Sequence, residues 1–320
     1  MKIIITGGAG FLGSLVATEL LRAADAGQAP IPFDEILSVD LAPCPVQDER
    51  VTSLVGDLAS PDVLREAVTA EVVGIFHLAA VLSGGSEADF DLAMRVNVDG
   101  TRALLEAARA AGSAPRFVFT SSLAVFGGNV PEVVPETWAA QPDSTYGAAK
   151  AMGELLVNEY SRRGWVDARI CRLPTISVRP GVPNSAASSF ASGIIREPLA
   201  GVESVCPVPH ETRMWLSSPE AAVRNLVFAL GVPGEALGAW RGINIPGISV
   251  TVGEMLAALD EVGGPDARAL VRDERDPAVE GIVCSWPGEF EVQRLLDAGF
   301  TRDEDFLSVV RRYADGLAAR

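Results

Sequence analysis

Two kinds of catalytic side chain are scarce in this chain of 320 residues. There are only two histidines, His77 and His210, and four cysteines, Cys44, Cys171, Cys206 and Cys284. The cysteines lie far apart and form no C-x-x-C, so they read as ordinary reduced thiols. A zinc centre or a Ser–His–Asp triad would have to recruit one of the two histidines, which argues against both and against a bound metal. Basic residues are also few: 26 Lys and Arg against 42 Asp and Glu give a formal net charge of −16. Such a surface repels phosphate backbones, which argues against nucleic-acid binding, and an anionic substrate needs a local basic site. No apolar run reaches the length of a membrane span, so no membrane partner is expected. The opening stretch from Met1 to Gly7 has one positive charge, few apolar residues and glycines at once. It reads as a first strand rather than an export signal, and the expected location is the cytoplasm. Internal repeats and low-complexity tracts are absent.

What is present is a globular composition, 48% apolar and 21% charged, with enough chain for one large domain or two joined ones. The first half alternates β-rich runs with helical patterns. Strands are expected at Lys2 to Thr6, Glu35 to Asp40, Val73 to Leu78, Phe117 to Thr120 and Ala168 to Leu173. Helices are expected at Leu12 to Ala24, Ala88 to Ala111 and Tyr146 to Arg163. This order implies an α/β fold: a doubly wound parallel sheet, the Rossmann fold, with a smaller C-terminal substrate-capping region. After Pro174 the pattern changes to Pro-, Gly- and Ser-rich segments with helices expected at Pro219 to Ala229, Thr251 to Asp260 and Asp303 to Ala319. The division expected is 1–174, together with part of 218–245, for the dinucleotide-binding domain. Residues 175–217 and 246–320 then form the substrate-binding region.

The segment Thr6-Gly7-Gly8-Ala9-Gly10-Phe11-Leu12-Gly13 joins the first strand to the first helix. Glycine there permits a tight turn, close approach of backbone to a pyrophosphate, and helix–strand contact. The N–H groups around Phe11 and Leu12, with the positive end of the helix dipole, then face the phosphates. Asp40 ends the second strand, 27 positions beyond Gly13, against a usual spacing of about 20. The loop from Asp25 to Phe33, with two prolines, absorbs the excess. A carboxylate there accepts a hydrogen bond from a ribose 2′-hydroxyl and repels a 2′-phosphate, and no Arg or Lys follows at Leu41 or Ala42, so the expected cofactor is NAD. Gly56-Asp57-Leu58 follows a strand-like run. Asp57 is either an adenine contact or a helix cap before Ser60-Pro61. His77-Leu78-Ala79-Ala80 ends the third strand with small residues where backbone can approach a cofactor at Ala79. His77 itself reads as a hydrogen-bonded histidine at the sheet edge.

Tyr146 and Lys150 stand at i and i+4 on one helix face. A phenol with an ordinary pKa near 10 is a poor base. A nearby ammonium and a positively charged nicotinamide both favour the phenolate, and the lysine can also reach the nicotinamide ribose. The strand Phe117 to Thr120 runs into Ser121 and Ser122. Hydroxyls thus lie at the carboxyl end of a strand, where doubly wound folds bind ligands.

These residues resemble those of the extended short-chain dehydrogenases/reductases, the group that includes nucleotide-sugar epimerases and dehydratases. The resemblance runs in order through Thr6 to Gly13, Asp40, Gly56-Asp57, His77 to Ala80, Asn97-Val98-Asp99-Gly100-Thr101, Thr120-Ser121-Ser122, and Tyr146 with Lys150, about the first half of the chain. It implies Tyr146 as acid/base, Lys150 as its partner, and Ser122 as the hydroxyl that orients the substrate, with Ser121 the alternative. Asn97 would shape the active-site helix beside the cofactor. Phe126 stands where many sugar-nucleotide members have Tyr, Ala149 where they have Ser, and Arg213-Met214-Trp215 where they have Arg-Asp-Phe. These departures argue against a nucleotide-sugar substrate.

The stretch Arg172 to Phe190, continued through Gly193 to Leu199, resembles a subgroup of dehydrogenases that oxidise the C2 hydroxyl of D-erythronate, a four-carbon sugar acid. A small polyhydroxy acid needs a forked cation for its carboxylate, with Arg179 and Arg213 the candidates, and neutral partners for its hydroxyls. Ser83, Thr175, Asn184 and Ser188 suit that role. The competing functions are a nucleotide-sugar epimerase or dehydratase and a non-catalytic dinucleotide sensor. The patterns at Ala88 to Ala111 and Tyr146 to Arg163 resemble those that pair family members into homodimers. Asp40 generates a direct prediction: NAD binds more tightly than NADP, by on the order of tenfold or more, in a fluorescence titration of the purified protein. A preference for NADP would overturn the role of Asp40.

Overall fold

The computed structural model describes residues 1–181 and 186–318. Twelve strands are found among them. In chain order they are β1 (Lys2–Thr6), β2 (Glu35–Asp40), β3 (Val51–Val55), β4 (Val72–His77), β5 (Arg116–Ser122), β6 (Asp167–Leu173), β7 (Thr175–Ile176), β8 (Ser204–Cys206), β9 (Arg213–Ser217), β10 (Gly242–Asn244), β11 (Ile248–Thr251) and β12 (Val271–Asp273). Seven of them form one sheet in the order β10-β6-β5-β4-β1-β2-β3, and every pairing in it is parallel. The order reverses between β1 and β4, which opens a crevice at the carboxyl ends of those strands, where open α/β sheets bind ligands.

Both faces of the sheet are covered, so its central strands are apolar throughout rather than alternating. Successive side chains still point to opposite faces. Ile3 and Ile5 of β1 join Phe76, Val118 and Cys171 beneath helices Phe11–Asp25 and Pro219–Gly231, which supply Val16, Leu20, Leu226 and Leu230. Ile4 points the other way, with Ile75, Phe117 and Phe119, under Leu104, Leu105, Val157 and Tyr160 of helices Thr101–Ala111 and Thr145–Arg162. A separate core lies over the crevice. It is built on two small sheets, β11-β9-β7 and β12-β8, and packs Ile194, Met255, Leu259 and Val310 together. No helix among the described residues is long and apolar enough to cross a membrane.

The expected strands appear, each within two residues of its predicted ends. The run before Gly56 is a full strand, β3, at the sheet edge. The helical pattern from Ala88 to Ala111 is interrupted: a short helix, Ser83–Ala88, ends at Asp89, whose carboxylate caps the next one by accepting from the N–H of Leu92 at 2.9 Å. The pattern then continues through a wide π-helical turn at Met94–Gly100 before regaining α geometry at Thr101–Ala111.

His77 ties three elements together in the dry interior. Its Nδ1 is 2.7 Å from the Thr6 hydroxyl on β1 and its Nε2 is 2.8 Å from the Thr101 hydroxyl on the helix. It packs against the rings of Phe117 and Phe119. Burial, and secondarily the nearby Lys150 ammonium, push its pKa down from 6.5 to about 3. Between those values the unfolded chain takes up a proton that the folded chain refuses. The contribution of His77 to stability is therefore complete above pH 6.5 and is lost as the pH falls. Urea denaturation should show the wild-type protein losing about 1–2 kcal/mol between pH 6.5 and pH 5 that His77→Gln does not lose. Equal losses in both proteins would refute the neutral buried imidazole.

Candidate active site

The glycine loop is shaped by contacts that leave no room for a side chain. A Cβ on Gly13 would lie 2.1 Å from the Gly7 carbonyl oxygen, and one on Gly7 would lie 2.8 Å from the Ala79 nitrogen. Gly7 also has a φ of 73°, in the left-handed region. The helix Phe11–Asp25 starts at Gly10 with no side chain capping it, so its first turn points its N–H groups into the crevice. Asp40, at the end of β2, accepts from the N–H groups of Ala9 at 2.9 Å and Leu41 at 2.6 Å. These bonds hold the carboxylate beside the loop.

One cavity of about 590 Å³ runs along this crevice. Gly7, Gly10, Phe11, Leu12, Gly13, Asp40, Asp57, Leu58 and Ala79 line one end of it, and Ser122, Tyr146 and Lys150 line the middle. Its size and lining fit a dinucleotide: a helix start for the pyrophosphate, a carboxylate for a ribose, and close backbone approach at Ala79. Asn97 is also expected from the sequence among the cofactor contacts. It does not line the cavity; it braces the loop after β4 from behind, with its amide accepting from the Val81 N–H at 2.8 Å and donating to the Val81 carbonyl at 3.0 Å. It sits in the π-helical turn, which re-aims its side chain. Asp57 lines the cavity, but its carboxylate also accepts from the Ala59 N–H at 2.8 Å and from Arg95 at 3.0 Å. Those two bonds lower its pKa.

The helix Thr145–Arg162 begins at Ser144, whose hydroxyl accepts from the Gly147 N–H at 3.1 Å. Tyr146 and Lys150 face the end of β5 one turn apart. The Lys150 ammonium donates to the Thr120 carbonyl at 2.8 Å and lies 5.7 Å from the centre of the Tyr146 ring. Burial pulls its pKa down to about 8, opposed by Glu154. The Tyr146 phenol is hydrogen-bonded to Ser122, but burial outweighs that bond and pushes its pKa up to about 12. The lowered phenol pKa expected from the sequence is thus not a property of the protein alone. Desolvation dominates until further positive charge arrives. Ser122 also accepts from the Ala124 N–H at 3.1 Å, which fixes its hydroxyl oxygen. Ser121 turns the opposite way and donates to Glu154 at 2.6 Å.

Beyond Ser122 the cavity is closed by Ser83, Pro174, Thr175, Ile176, Arg179 and Trp286. The Ser83 hydroxyl accepts from the Ala187 N–H at 2.9 Å, and Ser188 lines the same end. Arg179 is held by its backbone: its N–H donates to Ser192 at 3.0 Å, and its carbonyl accepts from the buried Arg196 at 2.8 Å. Burial and the Arg196 charge both lower the Arg179 pKa. Arg213 does not reach this cavity. It is exposed on β9, donates to Ser249 at 3.3 Å, and borders a separate, smaller cavity. Asn184 lies outside the described residues. Trp286 was not singled out by sequence reasoning. Its only local signal is the turn Ser285-Trp286-Pro287-Gly288, in a segment remote from every motif.

Comparison with known proteins bears on this geometry. A family model described as the NAD dependent epimerase/dehydratase family matches residues 3–222. A protein of Cupriavidus necator named D-erythronate dehydrogenase is 52% identical, covering 99% of this chain and 100% of its own. One of the same name from Haemophilus influenzae is 44% identical over 98% and 99% of the two chains. A crystal structure from Agrobacterium tumefaciens, described as a nucleoside-diphosphate-sugar epimerase, superposes with a TM-score of 0.92 at 39% identity, covering 100% of this chain and 95% of the other.

Proposed function

The chain belongs to the NAD-dependent epimerase/dehydratase family, and on that premise we propose that it is an NAD-dependent dehydrogenase that oxidises the C2 hydroxyl of D-erythronate to the 2-oxo acid. The observation that carries this reading is the meeting, in one cavity, of Ser122, Tyr146 and Lys150 with a half-buried arginine, Arg179. Among the described residues lining that cavity, three are cationic. Arg95 is paired with Asp57 at the cofactor end, and Lys150 is bonded to Thr120 behind the tyrosine. Arg179 is the cation at the far end, where its fork suits a carboxylate. In a chain of net charge −16, that local positive charge, reinforced by Arg196, is what brings an anion in. Two relatives of nearly equal length carry the name D-erythronate dehydrogenase. The organisation proposed with it assigns residues 1–174 and part of 218–245 to the cofactor, and 175–217 with 246–320 to the substrate. The four free cysteines suit a reducing compartment, and we place the enzyme in the cytoplasm.

NAD, when bound, supplies a hydride-accepting ring and a positive charge beside the phenol. The glycine loop and the helix start hold its pyrophosphate, and Asp40 holds its adenosine ribose. Tyr146 removes the proton from the C2 hydroxyl. Ser122 donates a hydrogen bond to the same oxygen as it becomes a carbonyl. Lys150 stabilises the phenolate electrostatically. Arg179 fixes the carboxylate, and Ser83, Thr175 and Ser188 take the remaining hydroxyls, so that C2 rather than C3 meets Tyr146.

Mixing the protein with NAD and D-erythronate should produce NADH absorbance. Tyr146→Phe should lower turnover by about a thousandfold while NAD binding stays measurable. Full turnover in that variant would remove Tyr146 from its role. The similarity to the Agrobacterium structure favours one second reading, a nucleotide-sugar epimerase. Interconversion of UDP- or GDP-sugars without net NADH, and no reaction with sugar acids, would establish it instead.

The protein is also proposed to be a homodimer. Phe90 and Leu155, on neighbouring helices, expose 59% and 63% of their surface, which is a reason to cover them. Light scattering should give twice the 33.6 kDa chain mass, and Leu155→Arg should halve it. A wild-type monomer would refute the pairing.

A further inference from the structure

We infer that the indole of Trp286 is the wall that sets how long an acid the site accepts. The inference rests on the sugar-acid reading above and names what limits its substrate. Trp286 follows the helix Pro277–Val283, and its backbone N–H donates to the Val283 carbonyl at 3.2 Å. Its side chain packs against both the core above the crevice and an aromatic cluster of Phe126, Trp215 and Phe290. It lines the end of the main cavity beside Leu123 and Thr175. The same three residues line a second cavity of about 10 Å³ on the other side, closed by Arg213, Met214, Trp215, Val283 and Pro287. That space holds roughly one water molecule. Leu123, Thr175 and Trp286 are therefore the residues the two spaces share, and the indole, the largest of the three side chains, is the partition between them.

The backing of the second space is fixed. The Trp215 and Phe290 rings stack at 5.5 Å and the Phe126 and Phe290 rings at 5.7 Å. The Trp215 Nε1 donates to the Ile245 carbonyl at 3.3 Å. Surroundings of this kind relax only partly when a large side chain is cut back, so the volume of the indole would remain as open space. Removing the partition joins the two spaces. The Thr175 hydroxyl, common to both, can then serve one more hydroxyl of a longer chain. With the indole in place, an acid anchored by Arg179 and presenting C2 to Tyr146 meets an apolar surface where a fifth carbon would go.

The test compares D-erythronate with D-ribonate, which has one more carbon, in the wild-type protein, Trp286→Ala and Trp286→Leu. The ratio of kcat/KM for the two acids is measured on single preparations, so the fraction of folded protein cancels. Trp286→Leu is the readout if Trp286→Ala does not fold. The same acids are titrated calorimetrically into each protein with NADH present, which requires no turnover. The wall predicts that the ratio of D-ribonate to D-erythronate rises about tenfold in the variants, in the range expected for one methylene of pocket space. Oxidation of D-erythronate with an unchanged ratio in both variants would overturn the wall and leave the proposed function standing. If the wild-type protein oxidises neither acid, the proposed function falls and the titrations decide. A binding preference for the shorter acid that the variants lose would still support the wall. The same preference in all three proteins, or none in any, would overturn it.

Discussion

The close approach of the helix Thr145–Arg162 to the end of β5 is the constraint on which the site depends. A Cβ on Gly147 would lie 2.0 Å from the Ala124 carbonyl oxygen, and one on Gly153 would lie 2.7 Å from the Phe119 ring. The two glycines are on either side of Lys150, so the helix is drawn down along the stretch that carries the chemistry. Between them and the strand sits a buried ion pair. Arg172 on β6 donates to both Glu154 oxygens, at 2.9 and 2.7 Å, and Ser121 completes the carboxylate. A buried pair of this kind adds little net stability, but removing one partner leaves an uncompensated charge. Its effect here is geometric: it fixes the rotation of the helix about its axis and engages the Ser121 hydroxyl. Ser122 is thereby left as the hydroxyl beside Tyr146.

What the sequence revealed was what is local. The glycine loop, Asp40 and the Tyr146–Lys150 pair each lie within one strand–turn–helix passage or one helical turn. Their geometry follows from backbone periodicity, and the structure brings them to one cavity. The preference for Ser122 over Ser121 came from the family resemblance alone, since alternation along a strand puts the two on opposite sides without saying which faces the site. The far end of the cavity was not legible. Arg179 and Arg213 are equally plausible as sequence. Only the path of β7 and β9 puts the first in the cavity and the second outside it. Asn97 lies in its expected helix, at a local widening, with its amide bonded to the Val81 backbone, a pairing that periodicity does not show. Trp286 had no motif around it. Its place comes from packing between two clusters whose members are spread from Leu123 to Tyr313, and pairings at that separation are invisible to periodicity.

The pKa shifts at the centre oppose each other for one physical reason. Removal from water disfavours whichever form is charged, so it raises the Tyr146 phenol to about 12 and lowers the Lys150 ammonium to about 8. Burial alone therefore makes Tyr146 a weaker acid than a free phenol. The same burial that disfavours the phenolate also strengthens its attraction to any cation that enters, since Coulombic energies grow as water is excluded. A site built this way stays protonated until positive charge arrives beside it, and His77 below cannot contribute, being held neutral by its own burial. On the proposed function, the basicity of Tyr146 then depends on the positive charge that NAD supplies beside the phenol.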